Sequence, residues 1–362
     1  MSTPFLLTIT ITIIILISTR ATSFYPQKKI LQAPTPTTSS KTYTPLSTSL
    51  FIPYWHIDKK QTVFTPPSIP ALEMVKAPRI IYFGVTVNSH GIDMTESGYK
   101  NIIHIPPDQK DSLLVLRMTS ATALETMLSD EKLFQTVAES VIHITNTYNY
   151  QGILLDLEIQ SIPTNKTVAH ITSFVQRLAN ELKTDKLSFS MTLFGDQFYR
   201  YRPYDLEALE KSVDHFYIMA YDLHKANGEP GPNFPLRKDA TSDYDLVRAI
   251  DQFTTIIPPE KMTVVFGMYG YDWIVDEKKR PIKKATSLTL AQIKKKFLKK
   301  CSWENCIIRR DSASEETEMN YVEPPSTYHI VWFEDEQSVD KKIHALLQKG
   351  IVHYAFWAWG YY

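Results

Sequence analysis

Cysteine is scarce in this chain of 362 residues: only Cys301 and Cys306 are present. Two cysteines without clustered histidines exclude a structural zinc site, and the ten histidines show no metal-ligand spacing. Neither a metal nor a cofactor is expected. Net charge is missing as well, since Lys+Arg and Asp+Glu both number 39. That balance gives no polyanion-binding signature, so nucleic acid is not an expected partner. A full membrane span is also lacking at the N-terminus, where the apolar stretch Phe5 to Ser18 falls short of the ~20 residues a helix needs to cross a bilayer. It reads instead as the core of a signal peptide. Thr19 and Ala21 offer a small-residue cleavage site, but basic residues before the core are absent and Arg20 follows it. Residues 1–21 are therefore expected to be a signal peptide or a short membrane anchor, on a protein that is secreted or held at the cell surface or wall. Any membrane contact would run through that anchor. In an exported chain Cys301 and Cys306 either close a small disulfide loop or remain two free thiols.

What is present is a globular composition, 43% hydrophobic and 12% aromatic, with 20 Tyr and 6 Trp. Flat rings in that number suit a carbohydrate groove, and equally an aromatic-rich core. Residues 22–49 read as a linker, because Gln32 to Ser49 is rich in Pro, Ser and Thr. From residue 50 onward, β-type runs alternate with helical stripes. The expected strands are Leu50 to His56, Arg79 to Thr86, Leu113 to Thr119, Tyr150 to Glu158, Lys186 to Phe194, His215 to Asp222, Met262 to Gly270 and Val352 to Gly360. Between them, Leu133, Val137, Val141 and Ile144 recur at helical spacing, as do Val168, Ile171, Val175, Leu178 and Leu182. Shorter helices are expected over 204–211, 242–256 and 338–348. Strands alternating with helices imply a parallel sheet, and eight of them argue for an α/β fold of the (β/α)8 TIM-barrel type over residues 50–362. Residues 271–334 interrupt the alternation and read as an insertion between strand seven and the last helix. Its Lys-rich part, Lys278 to Arg310, is expected to be a solvated helix face, with attraction to an anionic wall polymer as the sharper alternative. No outer helix follows the last strand, so another segment must cover that flank. Asn165-Lys166-Thr167 is a glycosylation sequon that matters only in a host that uses it.

The chemistry concentrates at strand ends. Gly152-Ile-Leu-Leu-Asp-Leu-Glu158 is apolar on both faces until it meets two carboxylates, and Leu154, Asp156 and Glu158 share one face. A buried parallel strand ending in this way puts Asp156 and Glu158 at the C-terminal mouth, where such barrels place their chemistry. These residues resemble the Asp-Gly-x-Asp-x-Asp-x-Glu signature of glycoside hydrolase family 18, the chitinase-like enzymes, with Gln151 and Leu154 replacing two of its acids. Met219-Ala220-Tyr221-Asp222 is similar to the family's Met-x-Tyr-Asp motif. Tyr269-Gly-Tyr-Asp272-Trp273, Tyr328 to Asp335 and Phe356-Trp357 are similar to its spore-cortex-lytic and peptidoglycan-associated bacterial members. Thr119-Ser-Ala-Thr122 stands where family chitinases have Ser-x-Gly-Gly.

The resemblance implies a glycosidase acting on β-1,4-linked N-acetylglucosamine polymers, chitin-like or peptidoglycan, as a monomer whose partner is its oligosaccharide or polysaccharide substrate. It implies Glu158 as the acid/base, with Asp156, Tyr221 and Asp222 completing the catalytic set. The substrate's own acetamido group would be the nucleophile, since family 18 departs from the two-carboxylate rule. Trp357 would floor the sugar cleft and Met219 would share its face with Tyr221. Tyr54, Tyr269 and Asp272 are each open between sugar contact and rim packing. A lectin-like protein on the same barrel is the alternative from another class, and a structural wall-associated domain is a third.

Overall fold

The computed structural model describes residues 46–362 except 58–62, 76, 108, 110, 160–162, 239–242, 299–300 and 302. The expected leader 1–21 and the linker up to residue 45 lie outside the described residues. The linker's expected end at residue 49 is corrected by the first strand, which already runs over Ser47–Pro53 (β1).

In chain order there follow β2 (Arg79–Asn88), the short β3 (Gly91–Ile92), α1 (Ser97–Lys100), β4 (Leu113–Met118), α2 (Ala121–Ser129), α3 (Glu131–Thr147), β5 (Gly152–Leu157), α4 (Asn165–Thr184) and β6 (Ser188–Phe194). Next come α5 (Leu206–Leu209), β7 (His215–Ala220), α6 (Leu246–Phe253), β8 (Met262–Gly267), β9 (Tyr269–Val275), β10 (Thr286–Thr289) and α7 (Leu290–Ile293). The chain finishes with β11 (Glu304–Arg310), β12 (Thr317–Glu323), β13 (Thr327–Phe333), α8 (Glu336–Leu347) and β14 (His353–Trp357). Eight of the strands pair in parallel in the order β1-β14-β8-β7-β6-β5-β4-β2, and β1 pairs back onto β2, so the sheet closes into a barrel.

Strand alternation separates two cores. Ile153, Leu155 and Leu157 pack outward with the helix stripes, including Val137, Val141 and Ile144 of α3. Leu154 points inward with Phe51, Ile81, Val115, Tyr217 and Val265, filling the barrel. The helices start where short polar side chains cap them: Asp130 accepts from Leu133 N, Thr164 from Thr167 N and Asp245 from Arg248 N. Gly152 permits the close approach of β6, because a Cβ there would lie 2.3 Å from the Ser188 carbonyl oxygen.

The insertion is a five-stranded antiparallel sheet, β10-β9-β13-β12-β11. This corrects the solvated helix face expected over 278–310, where among the described residues only α7 and a π-helical turn at Lys294–Leu298 are helical. It also ends strand seven early, since Tyr269 and Gly270 already belong to the inserted sheet. Cys301 and Cys306 are joined by a disulfide. The flank without an eighth helix is covered by residues between β1 and β2, where Ile69 and Leu72 are buried and Ala71 N donates to Asp340 of α8. Among the described residues no helix is long and apolar enough to cross a membrane, and no group of three His, Cys, Asp or Glu could hold a metal ion.

Candidate active site

The C-terminal ends of β5, β6 and β7 converge on one mouth. Asp156 closes the inward row of β5 and is only 5% exposed. A buried carboxylate needs hydrogen bonds, and this one accepts from Thr192 Oγ1 of β6 at 2.8 Å. Arg117 is its register partner on β4. Burial raises the Asp156 carboxyl above its usual range, while the Thr192 hydrogen bond and the Arg117 charge pull it back. Glu158, one step further out, is partly buried. Burial pushes its carboxyl up to about 7, and the charges of Asp156 and Asp222 add to the effect, while Lys225 and Arg202 oppose it. The strand that buries this pair therefore leaves the outer member protonated close to neutral pH.

Asp222, just past β7, adopts a positive φ of 61°. Its N–H donates to Asn233 Oδ1 at 2.7 Å. Its Oδ1 accepts from two phenols, Tyr269 at 2.5 Å and Tyr271 at 2.7 Å. The barrel thereby supplies the acid and the inserted sheet fixes its orientation. Tyr221 is half-buried, and burial with the nearby Glu158 and Asp156 charges keeps its hydroxyl protonated, well above the ordinary phenol range.

Asp156, Glu158, Met219, Tyr221, Tyr269 and Trp357 all line one cavity of about 270 Å³, together with Asp222. A smaller recess of about 50 Å³ shares Glu158, Met219, Tyr221 and Asp222 with it and is lined further by Phe194, Arg202 and Lys225. Trp357 lies edge-on to Phe83 and Phe51, with ring centroids 4.8 and 5.5 Å away, and to Trp55 at 6.2 Å. Seven of the nine residues expected from the sequence are thus brought together.

Two are not. Asp272 faces the other side of the inserted sheet, where it accepts from Tyr321 at 2.8 Å and pairs with His329 at 2.8 Å. Odd-numbered Tyr269, Tyr271 and Trp273 take the face toward the site, and alternation turns Asp272 away. Tyr54 is corrected too, because the chain turns through a 3₁₀ helix at Tyr54–His56. That turn packs Tyr54 against the outer core and presents Trp55, 45% exposed, beside Trp357.

Sequence reading missed Thr192, Arg117, Tyr271 and Asn233. Thr192 was visible as a polar residue inside an apolar strand, and Tyr271 by its parity with Tyr269. Arg117 and Asn233 carry no local signal, since only strand register and loop closure bring them to Asp156 and Asp222.

Comparison with known proteins bears on the family and the fold. The family profile for Glycosyl hydrolases family 18 matches residues 107–361. The cortical fragment-lytic enzyme of Bacillus anthracis is 28% identical over 163 residues, which are 44% of this chain and 34% of that enzyme. The chain thus matches about a third of that relative's length. Among solved structures, the Bacillus cereus spore cortex-lytic enzyme SleL superposes with a TM-score of 0.64 at 18% identity, covering 89% of this chain and 72% of that one. The Ostrinia furnacalis Group IV chitinase superposes with a TM-score of 0.67 at 15% identity, covering 87% and 93%. At these identities the structural likeness is one of fold.

Proposed function

Because the chain belongs to Glycosyl hydrolases family 18, we propose that it is a glycosidase that cleaves β-1,4-linked N-acetylglucosamine-containing polysaccharide, chitin-like or peptidoglycan, with retention of configuration. The observation that carries this reading is Glu158: a carboxyl at the barrel mouth, pushed up to about 7 and sharing a cavity with Asp156, Tyr221, Asp222 and Trp357. A general acid works best with a pKa near the operating pH.

Glu158 gives its proton to the glycosidic oxygen as the bond to the anomeric carbon breaks. The carbonyl oxygen of the substrate's 2-acetamido group attacks the same carbon and closes an oxazolinium ring. Asp156 faces the acetamido nitrogen and balances its developing charge, and Tyr221 donates to the carbonyl oxygen. Asp222, held by two phenols, binds the reacting sugar, with Trp357 beneath it. Glu158, now ionised, takes a proton from water, whose oxygen attacks the anomeric carbon and reopens the ring. Holding the acetamido group in line makes attack intramolecular, which is worth several kcal/mol.

Retention of the acid supports the enzyme over a lectin-like reading, and the spore-cortex names of the relatives favour peptidoglycan as the polymer. On this reading the protein acts as a monomer, secreted or held at the cell surface or wall. Glu158→Gln keeps the shape and loses the proton, so hydrolysis should fall by ~10² or more while oligosaccharide binding persists. Mass spectrometry of products from N-acetylglucosamine oligomers, their deacetylated counterparts and purified peptidoglycan is the readout. Cleavage of deacetylated sugars at the reacting position would overturn the mechanism.

A further inference from the structure

We propose that Thr192 is a positioning residue for this reaction: its hydroxyl, reaching across from β6, holds Asp156 in one orientation as an anion, in the role that Leu154 leaves empty on the strand of Asp156 itself. The inference rests on the reading above and adds a residue to it.

Leu154 is fully buried in the barrel interior, so the inward row of β5 offers Asp156 no polar neighbour beneath it. The partner comes from the next strand. Leu155 pairs with Met191, which sets Thr192 beside Asp156. Both side chains are nearly closed to solvent, Thr192 at 4% and Asp156 at 5%. Water therefore cannot easily replace the bond between them. A hydroxyl carries a single proton, and the two acceptors within reach are Asp156 Oδ1 at 2.8 Å and the Leu155 carbonyl at 3.5 Å. The carboxylate is the nearer. An ionised carboxylate only accepts, so this bond favours the charged form and fixes which oxygen turns toward the cavity.

Other groups also bear on Asp156. Arg117 faces it from β4, Glu158 from its own strand, and Tyr221 and Asp222 from the end of β7, while Tyr204 follows β6 nearby. Arg117 supplies the one positive charge in that set. It reaches Glu96 at 3.8 Å as well, so its charge is shared, whereas the Thr192 proton is committed to the carboxylate.

The test compares Thr192→Val with Thr192→Ser. Valine matches threonine in shape and would fill the barrel equally well, so a packing role predicts little change. A positioning role predicts a kcat about tenfold lower with KM within about twofold. The acid limb should rise by about one pH unit, because Asp156 without its donor protonates more readily. A protonated Asp156 repels Glu158 less, so the alkaline limb should not rise and the bell should narrow. Serine keeps the hydroxyl and should restore both kcat and the acid limb. Should valine fail to fold, serine alone decides: a wild-type profile supports the hydroxyl, and loss of activity in folded serine variant assigns the site to packing. A wild-type pH profile in Thr192→Val overturns the inference while leaving the enzyme reading intact. Activity surviving in Glu158→Gln would instead overturn that reading.

Discussion

Asp156 and Glu158 lie two residues apart on one strand face, and the proposed chemistry asks opposite charge states of them at the same pH. Burial raises both carboxyls, and their neighbours set the difference: the Thr192 hydrogen bond and the Arg117 charge oppose the rise at Asp156, whereas the Asp156 and Asp222 charges add to it at Glu158. The sign of its pH dependence follows. In the proposed mechanism Glu158 must carry a proton to act, so activity should be retained below its pKa of about 7 and lost as pH rises through it. Lys225 lowers that value. Lys225→Gln should therefore shift the alkaline limb of kcat/KM upward, by a few tenths of a pH unit for a lysine as exposed as this one. A pH-rate profile at low and high salt checks it, and a downward shift would contradict the role given to Glu158. At this scale the sequence was readable where a motif fixed parity and strand end together, as for Asp156, Glu158 and Tyr221. It misled at Asp272, which alternation turns away from the side of Tyr271, and at Tyr54, where the chain leaves the expected strand for a 3₁₀ turn that presents Trp55 instead.

The elements around the site are tied together by charges that the solvent does not reach. Glu316, Glu334 and Lys342 are wholly buried. Glu316 accepts from Asn233 N at 2.5 Å, Phe234 N at 2.8 Å and Lys342 Nζ at 2.7 Å. Lys342 of α8 also donates to Glu334 at 2.5 Å. Burial, with Glu316 close by, pushes Glu334 up to about 8 against the pull of Lys342. The three side chains thus form one ion-pair cluster out of reach of solvent. It joins the loop after β7, the edge of the inserted sheet and α8, and Asn233 passes that order on to Asp222. Removing one partner of a buried ion pair leaves the other uncompensated, so Lys342→Met should cost about 3–5 kcal/mol of stability. Urea unfolding measures it, and a loss under about 1 kcal/mol would show the cluster to be dispensable. None of this could be read locally, because Glu316 and Lys342 are ordinary surface types in sequence. The same applies to the inserted sheet: lysines between 278 and 310 masked short strands, whereas the apolar stripes of α3 and α4 announced themselves.

On the scale of the whole molecule, closure depends on a strand that the sequence only half revealed. The eight-strand alternation was legible because each buried parallel strand is a nearly continuous apolar run. β1 was placed three residues late because Ser47, Thr48 and Ser49 continue the polar composition of the segment before them. Register resolves it: Ser47 to Leu50 pair with His353 to Phe356, and Ser49 to Pro53 pair with Arg79 to Phe83. β1 therefore carries ladders on both edges and holds the first and last parts of the barrel together. It also brings Phe51 under Trp357 and leads into Trp55. A chain begun at residue 46 keeps both ladders, and should match the full chain in melting temperature and in hydrolysis. A chain begun at residue 57 loses β1, exposes the edges of β2 and β14, and takes Phe51 and Trp55 from the aromatic cluster around Trp357. Unpaired strand edges buried against a core are costly, and exposed ones template aggregation. The shorter chain should therefore be insoluble or melt without a cooperative transition, as thermal scans and size-exclusion chromatography of the two would reveal. A folded, active chain lacking β1 would mean that the barrel is held closed from elsewhere.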